Sequence, residues 1–248
     1  MIRHIYGPHA DQFIELTSPE GDALAVVVII HGGFWRAAYD ASLGRPLAAD
    51  LARRGFVACN IEFRRVGNGG GWPATFDDVA GAIDLLADLE VDTSRVITLG
   101  HSAGGHLATW AAGRVGLPAS APGGTPRVVV SGAISQAGVL DLRTAALTSV
   151  GGRACLDLVG GSPSEMPERY GVADPMARVP LPVPVVCVHS RGDEDVPFAQ
   201  SETYVAAACA AGADAELIDV PGDHMSHVDT RSTAWGAALA GLARLTRS

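Results

Sequence analysis

Arg95-Val96-Ile97-Thr98-Leu99-Gly100-His101-Ser102-Ala103-Gly104-Gly105-His106-Leu107-Ala108 is the stretch on which the reading of this 248-residue chain turns. It begins as a short β-branched run of strand type, passes a serine set between two glycines, and continues in residues suited to a helix. A Gly-x-Ser-x-Gly turn placed after a strand and before a helix lifts the serine oxygen above a sheet on a strained backbone, and only small neighbours fit so sharp a turn. The following helix directs its N-terminal dipole at the hydroxyl and favours negative charge developing there. The bland alternative is a strand–turn–helix connection that merely uses small residues. The strand before and the helix after favour Ser102 as a nucleophile.

Around this turn the sequence alternates. Leu24–Ile30 is a continuous β-branched run that reads as a strand buried on both faces. Phe56–Phe63, Arg127–Ile134 and Val183–His189 read as similar strands, Asp214–Val220 as a weaker last strand and Phe13–Thr17 as an edge strand. Helical patterns lie between them at Ala41–Arg54, Phe76–Leu89, Ala103–Val115, Pro197–Ala211 and Thr230–Leu245. Ser162-Pro163-Ser164-Glu165 has the form of a helix start, with Ser162 as cap and Pro163 in the first position. Such alternation implies a mainly parallel sheet with helices on both faces. The segment 135–182 breaks the rhythm and reads as an insertion that covers a site from above. With no repeat, linker or low-complexity tract, the expectation is one domain over residues 1–248, a length that single α/β domains reach.

A serine nucleophile needs donors for the oxygen of a tetrahedral intermediate and a base with its supporting acid. Ile30-His31-Gly32-Gly33-Phe34-Trp35 follows the first buried strand, and its paired glycines let backbone N–H groups face a cavity. The expected donors are the N–H groups of Gly33, Phe34 and Ala103, with His31 a structural hydrogen-bonder. Partners of such a serine follow it in the order acid, then histidine. Ser190-Arg191-Gly192-Asp193-Glu194-Asp195-Val196-Pro197 leaves a buried strand and offers three carboxylates. Asp193 is the favoured acid, at the strand exit; Asp195 precedes a helix start and reads as its cap. Val220-Pro221-Gly222-Asp223-His224-Met225-Ser226-His227 follows the last strand, and His224 is the favoured base. His224 and His227, three apart, would suit a metal if they shared one helix. Gly222 argues for a loop and no third ligand cluster accompanies them, so no metal is expected, and no cofactor. Trp35, Tyr39 and Trp72 are candidates for the lining of an apolar substrate pocket.

The composition excludes some classes. The net charge of −9 and the absence of any Lys/Arg run argue against a nucleic-acid partner. No apolar run approaches the roughly 20 residues that cross a bilayer, so no membrane partner is expected. Cys59, Cys155, Cys187 and Cys209 are scattered without close spacing, and residues 1–8 hold no signal-like apolar stretch. Free thiols and a cytoplasmic setting are the expectation.

The loop His31-Gly32-Gly33-Phe34-Trp35, taken with Gly100–Ala108, resembles the kynurenine formamidase-like esterases of the α/β-hydrolase superfamily. Gly161-Ser162-Pro163, Glu168-Arg169-Tyr170, Asp174-Pro175 and the run from Asp193 to Ser201 extend the resemblance over most of the chain from Leu24 onward. Ser190-Arg191 and the loop Gly67–Trp72 depart from it. The resemblance implies the α/β-hydrolase fold, the triad Ser102–Asp193–His224, an oxyanion hole at Gly33, Phe34 and Ala103, and a small-molecule ester or aryl formamide as substrate. Two other readings stay open: a non-catalytic binding protein that keeps the fold, and a peptidase or thioesterase with the same triad. The oligomeric state is open too.

Overall fold

A computed structural model describes residues 1–148 and 153–247. Eight strands form one sheet: β1 (Ile2–Ile5), β2 (Phe13–Thr17), β3 (Val26–Ile30), β4 (Val57–Glu62), β5 (Val96–His101), β6 (Gly132–Gln136), β7 (Val185–His189) and β8 (Ala215–Asp219). Their spatial order is β1-β2-β4-β3-β5-β6-β7-β8. β1 and β2 pair antiparallel, as do β2 and β4; every pair from β4 to β8 is parallel. The helices are α1 (Arg45–Arg53), α2 (Ala74–Asp84), α3 (Ala103–Ala112), α4 (Leu142–Thr148), α5 (Ala154–Val159), α6 (Pro167–Ala173), α7 (Ala199–Ala210) and α8 (Thr233–Leu245).

Side chains along a strand alternate between faces, and the continuous apolar runs serve both. Val26, Val28 and Ile30 join Phe76, Ile83, Leu107 and Trp110 in one core. Val27 and Ile29 join Leu47 and Leu51 of α1 and Trp235 and Leu242 of α8 in another. At this register β3, β5, β7 and β8 end together, and the four loops singled out in the sequence leave the same carboxyl edge of the sheet, where open α/β sheets bind ligands.

Several boundaries differ from the sequence reading, each for a visible reason. The strand expected from Arg127 begins at Gly132, because Asp84 Oδ1 captures the backbone N–H groups of Arg127 (3.0 Å) and Val128 (3.1 Å). Ser162 and Glu165 make the expected reciprocal hydrogen bonds (2.8 and 3.3 Å), but they close a single turn; the helix starts later, with Pro167 in its first positions. Asp195 caps nothing: α7 begins at Ala199 with no side-chain cap. β1 was not expected and adds a mostly exposed edge strand. Among the described residues no helix is long and apolar enough to cross a membrane.

Candidate active site

Ser102 sits between β5 and α3 with φ 56° and ψ −121°, a conformation an L-residue adopts only under constraint. The constraint is close approach. A Cβ on Gly104 would collide with the Ile30 carbonyl of β3, and one on Gly100 with the Gly104 carbonyl. The serine's own N–H donates to the Gln136 carbonyl at 2.8 Å, which ties the turn to the end of β6.

The loop after β3 is strained as well: Gly33, Phe34 and Trp35 have φ of 110°, 55° and 54°. Two bulky residues in the left-handed region are uncommon and mark a loop held for a purpose or by tight packing. Among the described residues the backbone N–H groups of Gly33, Phe34 and Ala103 donate to no protein acceptor. Gly32 lies against the turn, where a Cβ would come within 3.2 Å of the Ser102 Cβ. His31 holds this loop from beneath. Its Nδ1–H donates to the Gly32 carbonyl (2.8 Å), its ring stacks on Phe63 at 4.6 Å, and its Nε2 faces the Glu62–Arg65 ion pair.

The acid loop follows β7 and the base turn follows β8. The Ser190 hydroxyl donates to the Gly222 carbonyl and ties the two together. Asp193 Oδ1 accepts the N–H groups of Asp195 (2.9 Å) and Val196 (2.8 Å), while Oδ2 lies 2.7 Å from His224 Nδ1. Burial alone would raise the Asp193 pKa; hydrogen bonds from His189, His224 and Val196 outweigh it and hold the carboxyl well below the usual range. An ionised Asp193 only accepts, so the His224 proton resides on Nδ1 and the lone pair on Nε2 is free for a base's work. Asp223 and Ser226 cap the 3-10 turn His224–Val228 reciprocally and fix the ring's approach.

More imidazoles surround this pair. His101 Nε2–H donates to the His224 carbonyl at 2.9 Å, and the two rings lie 4.4 Å apart. Burial first, then the nearby His224 and His227, push the His101 pKa well below its ordinary value. His189 Nε2–H donates to the Val196 carbonyl (3.0 Å) and lies 3.3 Å from Asp193 Oδ2. His227 is fully buried with neither ring nitrogen hydrogen-bonded, and burial lowers its pKa to about 4. Gln136 Nε2–H donates to the His227 carbonyl at 2.7 Å. Gln136 thereby links the serine turn to the base turn. Gln136, the last residue of β6, is not among the residues singled out in the sequence; a polar pair, Ser135-Gln136, closing an otherwise apolar strand is the signal that could have found it.

A cavity of about 210 Å³ opens at Ser102. His31, Gly32, Gly33, Phe34, His101, Ser102 and His224 all line it. The structure therefore gathers Ser102, His224, Gly33 and Phe34 at one cavity, with Asp193 behind His224. No hydrogen bond joins the Ser102 hydroxyl to His224 among the described residues. Of the three aromatic candidates for the substrate pocket, only Tyr39 lines the cavity. Trp35 is buried and donates its Nε1–H to His106 Nδ1 (3.1 Å); Trp72 packs on Phe76 with ring centroids 5.3 Å apart. Among the described residues none of 135–182 lines the cavity: that segment buries Leu142, Leu158 and Tyr170 in the same core as Phe76 and Trp110, on the sheet's other face. Asp195, read as a cap, is instead at the cavity wall. Asp193, Asp195 and His224 bring ligand-type atoms within 4.8 Å of one another, and His227 is not in that group.

Comparison with known proteins agrees with this architecture. The BD-FAE family model matches residues 14–207. Esterase LipQ of Mycobacterium tuberculosis is 29% identical over 201 residues, covering 78% of this chain and 48% of that protein, so the match spans about half the relative's length. A truncated carbohydrate esterase from gut microbiota superposes with a TM-score of 0.78 at 22% identity, over 99% of this chain and 95% of that one. A thermophilic esterase of Thermogutta terrifontis, with propionate bound, superposes with a TM-score of 0.75 at 22% identity, over 98% and 92%. These likenesses and the strand order make the fold that of the α/β-hydrolases.

Proposed function

The chain belongs to the BD-FAE family, and we propose from that premise that it is a serine hydrolase cleaving carboxylic esters through an acyl-enzyme on Ser102. The observation that carries this reading is the 2.7 Å contact between Asp193 and His224 Nδ1, which leaves His224 Nε2 as the free nitrogen at a cavity wall shared with Ser102.

In the mechanism proposed, His224 Nε2 takes the Ser102 proton as the oxygen attacks the ester carbonyl. Asp193, ionised and hydrogen-bonded, stabilises the imidazolium without taking its proton. The unpartnered N–H groups of Gly33, Phe34 and Ala103 receive the oxyanion; each such donor contributes about 3 kcal/mol in comparable sites. His224 then protonates the leaving alcohol. A water molecule, activated by the same nitrogen, releases the acid and restores Ser102. The names of the similar proteins, an esterase and a carbohydrate esterase among them, support an ester as substrate. Aryl formamides, implied by the motif resemblance, suit the same machinery, with an amine in place of the alcohol.

A fluorophosphonate probe tests the reading. It should label the wild type and leave Ser102→Ala unlabelled, with turnover of a p-nitrophenyl acetate lost in step. A folded wild type that neither reacts with the probe nor turns over esters, aryl formamides, thioesters or peptides would replace this reading with that of a non-catalytic binding protein. On the same panel, a preference for thioesters or peptides over esters would reassign the substrate class.

A further inference from the structure

The cavity at Ser102 does not end at the reacting atoms. It extends to the α1 and α8 face of the sheet, where Ile29, Leu43, Leu47, Leu99 and Val228 line it; Ile29, Leu47 and Leu99 belong to the core of that face and Val228 packs against it. Ile29, Leu47 and Leu99 are at most 2% exposed, so this inner part reaches into the core itself. Apart from His224, the two buried histidines of its lining are already engaged. His31 is bonded to the Gly32 carbonyl and faces Glu62, and His101 is bonded to the His224 carbonyl. Asp195 is the one carboxylate among the lining residues, and it is exposed.

Resting on the esterase reading above, we propose that this chamber takes one compact, uncharged hydrocarbon arm of the substrate, and that Leu43, Leu47 and Val228 set its permitted length. A hydroxylated or ionised arm laid against Ile29, Leu43, Leu47, Leu99 and Val228 would lose its hydration, and these side chains offer it no partner. An anionic arm would also meet Asp195. A dry cavity of about 150 Å³ lined by Leu, Ile and Phe accommodates a benzene-sized guest. The 210 Å³ here also holds the reacting carbonyl, so the arm that fits is about four to six carbons long. The described residues of the segment 135–182 contribute nothing to this selection, because their apolar side chains pack in the core of the opposite face.

Either half of the ester could supply the arm, and two substrate series distinguish them: p-nitrophenyl esters of straight-chain acids from two to twelve carbons, and acetates of straight-chain alcohols over the same range. In one series kcat/KM should climb about fourfold per methylene to a maximum near four to six carbons, then fall at least tenfold by twelve. Val228→Phe and Leu43→Phe should each move the maximum toward shorter chains, and Leu47→Ala toward longer ones. Leu43 is only partly buried, so its variant keeps the test alive if a core substitution fails to fold. The Ser102→Ala protein gives a readout independent of turnover: calorimetric affinity for the same esters should peak at the same length and shift with the same wall substitutions. Ester hydrolysis with no length maximum in either series, or a maximum that ignores all three wall variants, overturns the chamber while leaving the esterase standing. An absence of ester turnover overturns the esterase, and length-selective binding to Ser102→Ala then decides the chamber alone.

Discussion

The serine turn and the acid–base loops meet at one cavity but are held by different forces. Around Ser102 the constraint is steric and lies in the backbone: Gly104 presses on β3, Gly32 presses on the serine, and φ is positive. Around Asp193 and His224 it lies in hydrogen bonds between ionisable side chains and loop amides, with imidazoles packed close by. Steric constraint of the first kind is all-or-none, since the carbonyl of Ile30, the last residue of a strand paired on both sides, has nowhere to go. The second kind is graded: it responds to pH and to isosteric substitution, and it can lose function with its fold intact.

The largest expected effect comes from the steric side. Gly104→Val places a branched Cβ against the Ile30 carbonyl of a fully paired central strand. Overpacking ordinarily costs about 1–3 kcal/mol, and the immobility of this backbone puts the cost at or above that upper end. Urea unfolding should show a midpoint lowered accordingly, or no folded protein. Wild-type stability in Gly104→Val would show that the turn can relax and that the contrast between the two regions is false.

On the hydrogen-bonding side the fold should survive and the chemistry should not. Asp193→Asn keeps the size of the side chain but no longer fixes the His224 proton on Nδ1. In a serine protease with this arrangement the equivalent change lowers kcat about 10⁴-fold, and a loss of that order is expected here for a short activated ester. Asp195 accepts none of the bonds that orient His224, so Asp195→Asn should change kcat only a few-fold. Equal losses for the two variants would return Asp195 to candidacy as the acid.

That pair of variants also marks where the sequence was informative. The serine turn, the loop after β3, and the order acid-then-histidine were legible because each requires particular residue types at fixed offsets from a strand end. Sheet and helix alternation was legible from apolar runs that serve two faces. The role of Asp195 was misread because the helix it was expected to cap begins only at Ala199, without a side-chain cap, while Asp193 is the residue whose carboxylate gathers the loop amides of Asp195 and Val196. Trp35 and Trp72 looked like pocket residues because aromatics beside glycine loops suit either packing or binding, and only the fold decides. The inner cavity was not legible at all. It is made by residues from α1, β3, β5 and the turn after β8, whose convergence is a property of strand order rather than of any local pattern.

The smallest effect, and the finest test of the graded side, is His227→Phe. His227 is buried among His101 and His189 at ring-centroid distances of 6.0 and 6.2 Å, with no hydrogen bond to either nitrogen. Burial holds its folded pKa at about 4, below the ordinary 6.5 of an imidazole, so between these pH values it stays neutral in the fold and gains a proton on unfolding. The unfolded state therefore binds more protons, and the stability tied to this group is full above about pH 6.5 and drains away as pH falls toward 4. His106, also lowered to about 4 by burial, acts in the same direction, whereas Asp174, raised to about 6 by burial, acts in the opposite one. Phenylalanine fills the same space without a titrating nitrogen. At pH 7.5 its Tm should lie within a few degrees of the wild type. At pH 4.5 the variant should be the more stable by about 2 kcal/mol, which appears as a shallower fall of Tm with acid. Parallel Tm–pH curves for the two proteins would mean that His227 reaches solvent or a partner when protonated, and that the histidines beside Asp193 are less closed to water than their burial indicates.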